Sequence, residues 1–267
     1  MFCIIILWLY IRLAILSQHY HLIGNIPTPV INLRGNIKRK HRVLLMEYKE
    51  REIRPITIDV THQHRRYGYR LVKRVFDFTA SACGLIILSP LFLVVAIAIK
   101  VEDPRGSVFY SQTRLGQGEV PFKMYKFRSM VSNADELLDK LLKQNEVDGA
   151  MFKMHDDPRV TKIGRFIRKY SIDELPQLLN VLLGQMSLVG PRPPLPREVA
   201  EYTAYDKQRL TVKPGCTGLW QATVRNSVGF DEMVKLDLVY ISRRSVAFDL
   251  YVLLKTIGVM FHPNGAY

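Results

Sequence analysis

The stretch Lys73–Lys100, KRVFDFTASACGLIILSPLFLVVAIAIK, carries no charge over the 22 residues between Asp77 and Lys100. As a straight helix those residues would extend about 33 Å, enough for the ~30 Å hydrocarbon core of a bilayer. Two features turn the reading away from a simple crossing. Ser89-Pro90 stands at mid-segment, and a proline there removes a backbone hydrogen bond and bends the helix. Lys73 and Arg74 flank one end and Lys100 the other, and the positive-inside preference draws both ends to the same side. The pattern predicts a re-entrant helical hairpin over about residues 74–100. A kinked full span is the competing arrangement, because membrane helices tolerate proline where neighbours satisfy the freed carbonyl.

On the N-terminal side, MFCIIILWLYIRLAIL is apolar for 16 residues with Arg12 inside it, which is short for a span. It lacks the basic start and small-residue cleavage site of a secretory signal, so residues 1–23 read as an uncleaved anchor or the remnant of a larger membrane region. Residues 24–70 hold GNIPTPV, the run KRKHR, a helical pattern RVLLMEYKEREIR and a His/Arg/Tyr-rich tail. They read as a basic linker with one surface helix. Of the chain's net charge of +14, residues 31–74 alone contribute +9, from 13 Lys/Arg against 4 Asp/Glu. A basic stretch ahead of an apolar segment suits anionic membrane lipid. Nucleic acid is the rival partner, but no zinc-finger spacing, basic zipper or aromatic RNA-binding motif accompanies the charge, so no nucleic acid is expected. Cys3, Cys83 and Cys216 are far apart and suggest no disulfide framework, and the loose pair His62 and His64 reads as surface.

On the C-terminal side, GSVFYSQTRLGQGEVPFKMYKFRSM places two β-prone stretches around a turn-rich LGQGEVP, the signature of a β-hairpin. From SNADELLDKLLKQ onward amphipathic helical patterns dominate, broken at DDPR, GPRPPLP and KPGCTG. The final VAFDLYVLLKTIGVMF fits an interfacial helix or an ordinary core helix equally. The expected fold class is therefore α+β and predominantly helical, in a single domain over residues 71–267.

The densest group of candidate chemistry is GRFIRKYSIDELPQLLNVLLGQMSLVGPRPPLP, residues 164–196. Ser171 and Glu174 have capping-box spacing, predicting a helix that begins around 171–173. If Asp173 is the cap instead, Pro176 falls at the third helical position, where its missing N–H costs nothing. Either way Asp173 and Glu174 would project from the positive end of a helix dipole, where ionised carboxylates are favoured. Adjacent carboxylates at a helix start are commonly just caps, so the surroundings matter. Arg165 and Arg168 precede the pair, Arg192 lies in the rigid Pro191-Arg192-Pro193, and Arg225 lies beyond KPGCTGLWQ. Four arginines can bracket a diphosphate with paired, charge-assisted hydrogen bonds.

With KRVFD, the mid-segment SP, GSVFYSQTRLG, FKMYKFRSM, DPRVTKIGRFIRKYSIDELPQLLNVLLGQMSLVGPRP, VKPGCTGLWQ and LDLVYI in this order, the chain resembles the bacterial sugar transferase family from about residue 72 to 260. These are the monotopic polyprenyl-phosphate phosphoglycosyl transferases that prime capsule, exopolysaccharide and O-antigen synthesis. The resemblance implies a re-entrant helix broken at Ser89-Pro90 and a compact domain resting on interfacial helices at the cytoplasmic face of the bacterial membrane. It implies transfer of a hexose-1-phosphate, galactose or glucose favoured, from a UDP-sugar to undecaprenyl phosphate, with release of UMP. It further implies Asp173 as covalent nucleophile in a ping-pong scheme, Glu174 as the second acid holding Mg²⁺ with it, and Arg168, Arg192, Arg225 and Lys126 as phosphate ligands. A homodimer is open to it. Two other readings compete: the same reaction with an N-acetylated or dideoxy sugar phosphate, and an inactive scaffold of the assembly machinery. Val224 stands where the family often has a glycine before the arginine.

Overall fold

The computed structural model describes residues 56–134, 136–137, 157–224 and 228–261. The N-terminal apolar segment, the KRKHR run and Arg225 lie outside the described residues. The chain enters with Ile58 buried in the main core, its N–H donating to Gln208 Oε1 at 2.6 Å. Helix α1 (Val60–Arg65) is capped by the Asp59 carboxylate, which accepts from the His62 N–H. The buried Gln63 of this helix accepts from Arg244 Nε at 2.9 Å. Residues 56–70, expected to be linker, therefore belong to the folded domain. Isolated anchors such as Ile58 and Gln63 leave no periodic trace in the sequence.

Helices α2 (Tyr67–Ile87) and α3 (Ser89–Glu102) meet at Leu88 with a 58° bend. The bend has a local cause. Residue 90 would ordinarily donate its N–H to the Ile86 carbonyl, and proline has none to give. The Ser89 hydroxyl donates to that carbonyl instead, at 2.8 Å. The Phe92 N–H to Leu88 carbonyl bond then resumes the ladder at 2.9 Å. No single helix among the described residues is long and apolar enough to cross a membrane, whereas the bent pair together has the length and composition. The outer faces of the pair leave Leu71, Ile86, Ile87, Leu93, Val94 and Val101 exposed.

Strands β1 (Phe109–Leu115) and β2 (Pro121–Phe127) form the expected antiparallel hairpin. Its turn uses Gly118 at φ 66°, a left-handed conformation that glycine adopts without steric cost. Successive strand residues point to opposite faces, and here the two faces have different neighbours. Phe109 and Phe127, paired in register, stack at 5.2 Å, and Phe127 joins Val95, Ile99 and Ile167 in one cluster beside α3. Phe122 and Met124 on the other face join Val181 and Met186.

The remaining elements are α4 (Lys162–Lys169), α5 (Gln177–Leu182), β3 (Ser187–Val189), α6 (Pro196–Ala200), α7 (Ala204–Lys207), β4 (Gly215–Thr217), α8 (Leu219–Thr223), α9 (Phe230–Arg243) and α10 (Val246–Phe261). Strands β3 and β4 pair in parallel, a second sheet that the sequence did not announce, since each strand is only three residues long. The pairing needs glycine: a Cβ on Gly215 would lie 2.1 Å from the Gly190 nitrogen. The main core gathers Val189, Leu219, Val234, Leu238, Ile241 and Val252. Helix α10 is two-faced, with Val252 and Asp249 buried and Tyr251, Leu254 and Ile257 exposed.

Two buried charge arrangements tie the layers together. Asp249 accepts from Tyr69 Oη at 2.8 Å, from Lys73 Nζ at 3.0 Å and from Tyr240 Oη at 2.6 Å, joining α2, α9 and α10. Arg74 donates to the Val181 and Leu182 carbonyls at 2.7 and 2.9 Å, closing the end of α5. Lys73 and Arg74 thus act as anchors as well as flanking charge.

Candidate active site

Helix α4 is capped by Thr161, whose hydroxyl accepts from the Gly164 N–H at 2.9 Å. It runs to Lys169, and Ser171 follows in the left-handed region at φ 56°. This corrects the capping-box expectation: Ser171 makes no side-chain cap bond, and the residues it was to cap form a short 3₁₀ turn over Ile172–Glu174. Helix α5 begins only after Pro176, whose φ of −61° suits a helix entry. A non-glycine residue held at positive φ is strained by about 1–2 kcal/mol. Here it reverses the chain so that Asp173 turns inward.

Asp173 is consequently buried, 7 % exposed, rather than displayed at a helix end. Burial pushes its carboxyl up to about 6, with the Glu174 charge adding to the rise against the pull of Lys126 and Arg168. Desolvation, rather than a helix dipole, therefore dominates its titration, as expected for a buried carboxylate. Glu174 goes the other way. Although burial opposes ionisation, Lys126, Arg192 and Arg114 together hold its carboxyl below the usual range. Lys126 Nζ donates to Glu174 Oε1 at 2.6 Å. Two adjacent carboxyls with titrations driven apart are the pattern of an acid/base or nucleophile pair.

The cations converge from three elements. Lys126 comes from the end of β2, opposite Tyr110 in register. Arg168, on the last turn of α4, donates from Nε to Ser129 Oγ at 2.8 Å and lies in the fields of Asp173 and Asp157. Asp157 itself is engaged by Arg159 through Nε and Nη2. Arg192 sits in the loop between β3 and α6, with Nη1 3.5 Å from Glu198 Oε2. That loop is fixed on both sides: the Gly215 N–H donates to the Pro191 carbonyl at 2.9 Å and the Leu115 N–H to the Pro194 carbonyl at 3.0 Å. The structure thus brings Asp173, Glu174, Lys126, Arg168 and Arg192 together. Arg165 is exposed on α4. Val224 ends α8 at φ −107°, a backbone any residue adopts, so the position does not require glycine.

Arg114 and Glu198 were not anticipated. Arg114, 7 % exposed, donates to the Pro193 carbonyl at 3.1 Å and to Gln112 Oε1 at 2.8 Å. Burial and the neighbouring Arg192 push it down to about 10. Strand alternation was the available signal, because Arg114 shares a parity with Tyr110 and faces the same side as Lys126.

The match to the family model described as bacterial sugar transferase extends over residues 68–263. The chain belongs to this family. Among similar proteins, the galactosyl transferase CpsE of Streptococcus agalactiae serotype III is 45% identical over 202 residues, 75% of this chain and 44% of that protein. The undecaprenyl-phosphate galactose phosphotransferase of Salmonella typhimurium is 44% identical over 74% of this chain and 42% of its own length. The undecaprenyl-phosphate glucose phosphotransferase of Komagataeibacter xylinus is 44% identical over 74% of this chain and 37% of its own. The chain spans less than half the length of these three relatives.

Proposed function

We propose that the protein transfers a hexose-1-phosphate, galactose or glucose, from a UDP-sugar to undecaprenyl phosphate, as a priming step in surface polysaccharide synthesis. The observation that carries this reading is the Asp173–Glu174 pair set among Lys126, Arg168, Arg114 and Arg192. Arg168, Arg192 and Lys126 neutralise and orient the diphosphate. Asp173 Oδ attacks the phosphorus that carries the sugar, the bond from that phosphorus to the bridging oxygen breaks, and UMP departs. A phosphate oxygen of the lipid acceptor then attacks the same phosphorus and frees the aspartate. Covalent capture lets a water-soluble donor and a membrane-held acceptor use the site in turn.

Mg²⁺ fits the donor set. No cluster of three or more His, Cys, Asp or Glu occurs among the described residues, and Mg²⁺ needs only one or two carboxylates, completing its shell with water and substrate phosphates. Asp173 and Glu174 would hold it. Once bound, it would screen the carboxylates and stabilise charge on the departing phosphate.

The bent α2–α3 pair, with its exposed apolar face and with Lys73, Arg74 and Lys100 flanking its uncharged stretch, supports a re-entrant hairpin at the cytoplasmic face of the membrane. The decisive assay offers a panel of UDP-sugars with undecaprenyl phosphate and Mg²⁺ and follows UMP release. With radiolabelled donor and no acceptor, wild type should take up label and lose it on adding acceptor, while Asp173→Asn should take up none. Equal labelling of both proteins would exclude Asp173 as nucleophile.

A further inference from the structure

Glu198 is a carboxylate that the proposed reaction does not use, yet it is 5 % exposed and surrounded by arginines. Its Oε2 accepts from the Leu195 N–H at 2.8 Å, fixing the entry to α6, and lies 3.5 Å from Arg192 Nη1. Its charge also acts on Arg114 from β1 and on Arg209 from the turn after α7. Its Oε1 is buried with no hydrogen-bond partner among the described residues.

A buried, underused carboxylate among three arginines calls for a reason. Arg114 and Arg192 repel each other, which is part of what lowers the Arg114 pKa. Glu198 places a negative charge beside both, within 3.5 Å of Arg192 and acting on Arg114. The prolines at 191 and 193 fix the backbone of Arg192 but leave its long side chain several rotamers. The ion pair with Glu198 bears directly on that choice.

We propose that Glu198 is a positioning residue that holds the Arg192 guanidinium against the site wall, so that its fork meets the donor's diphosphate pre-oriented. The inference deepens the reading of this site as one for a nucleoside-diphosphate sugar. Arg192 acts on Glu174, where it helps keep that carboxyl ionised, so it stands between the hub carboxylate and the reacting pair. Glu198→Gln keeps shape and can still accept from Leu195 but removes the charge. Glu198→Asp keeps the charge but retracts it by one methylene.

The test is a double-mutant cycle, in detergent, on equilibrium affinity for UDP and on UMP release. It uses wild type, Glu198→Gln, Arg192→Lys and the double variant, with Glu198→Asp as a second probe should the Gln form fold poorly. Glu198→Gln should weaken UDP binding about tenfold when Arg192 is intact and less than about twofold in the Arg192→Lys background, the non-additivity expected of contacting groups. Glu198→Asp should lose less than Glu198→Gln in binding. Equal losses in both backgrounds would show that Glu198 only shapes α6 and would overturn the proposal. Coupled UDP binding in a wild type that releases no UMP from any UDP-sugar would uphold the positioning role and reject the transferase reading. Absence of UDP binding in wild type would reject both.

Discussion

Replacing Asp249 by Asn should destabilise the domain more than any single change at the Asp173–Glu174 pair. The carboxylate is 1 % exposed and receives two tyrosine hydroxyls and the Lys73 ammonium. Asparagine removes the charge and leaves a lysine side chain only 12 % exposed beside a neutral amide. Breaking a buried pair by removing one partner costs about 3–5 kcal/mol, because the other charge stays desolvated. At roughly 2–4 °C per kcal/mol for a domain near 200 residues, the midpoint should fall by about 6–20 °C. Thermal unfolding in one detergent, followed by circular dichroism, reads this directly. The attribution to the stranded ammonium is checked by Lys73→Met: the Lys73→Met/Asp249→Asn double variant should recover about 1–3 kcal/mol relative to Asp249→Asn, since an uncharged pair leaves no buried charge. A single variant that melts within about 2 °C of wild type, or a double variant as unstable as the sum of the singles, would refute the reasoning.

Asp173 carries a pH signature whose sign is fixed by burial. Its folded pKa, about 6, lies above its ordinary 3.8, so its contribution to stability is full below 3.8 and is lost as pH rises through 6. In chelator, Asp173→Asn should therefore gain on wild type by about 2 kcal/mol between pH 4 and pH 8, at 1.36 kcal/mol per unit; a gap that ignores pH would count against the buried-carboxyl account. Gly164→Ala should cost about 1–3 kcal/mol and lower activity more than stability alone explains, because the new Cβ falls 1.9 Å from the Ser129 carbonyl, and Arg168 leans on the hydroxyl of that same residue; unchanged melting and turnover would contradict it. Cysteines placed at Val72 and Pro104, with Cys3, Cys83 and Cys216 removed, should both be shielded from an impermeant thiol reagent added to intact cells, and labelling of only one from outside would sink the re-entrant topology.

The bend at Ser89-Pro90 and the existence of the β1–β2 hairpin were legible because each depends on local chemistry, a missing donor and two β-prone stretches around a glycine-rich turn. The carboxylate pair and its arginines were legible as a motif, and of those arginines the structure brings Arg168 and Arg192 to the pair, while Arg165 is exposed and Arg225 lies outside the described residues. What was not legible depends on contacts between distant segments. Ser171-x-x-Glu174 has the spacing of a cap, yet tertiary packing forces the serine into a left-handed turn and buries the neighbouring aspartate. Strands β3 and β4 are too short for periodicity and are held by the close approach of Gly190 and Gly215. Arg114 and Glu198 look like ordinary surface charges in sequence, and only folding places them behind Arg192. Ile58 and Gln63, single anchors in a polar stretch, gave no sign that the domain reaches back past residue 70.

Strand β2 ends on two consecutive residues with separate duties: Lys126 meets Glu174, and Phe127 meets the helix pair through Val95 and Ile99. One peptide bond, about 3.8 Å from Cα to Cα, joins them. The strand therefore works as a depth gauge, setting the height of the Asp173–Glu174 pair relative to α3 with no flexible joint between. A displacement of the helix pair therefore bears on Lys126 through the neighbouring Phe127. Lengthening or shortening the hairpin by one residue would not merely misplace the lysine; it would exchange the two duties, turning the charge toward the apolar cluster and the aromatic ring toward the Asp173–Glu174 pair.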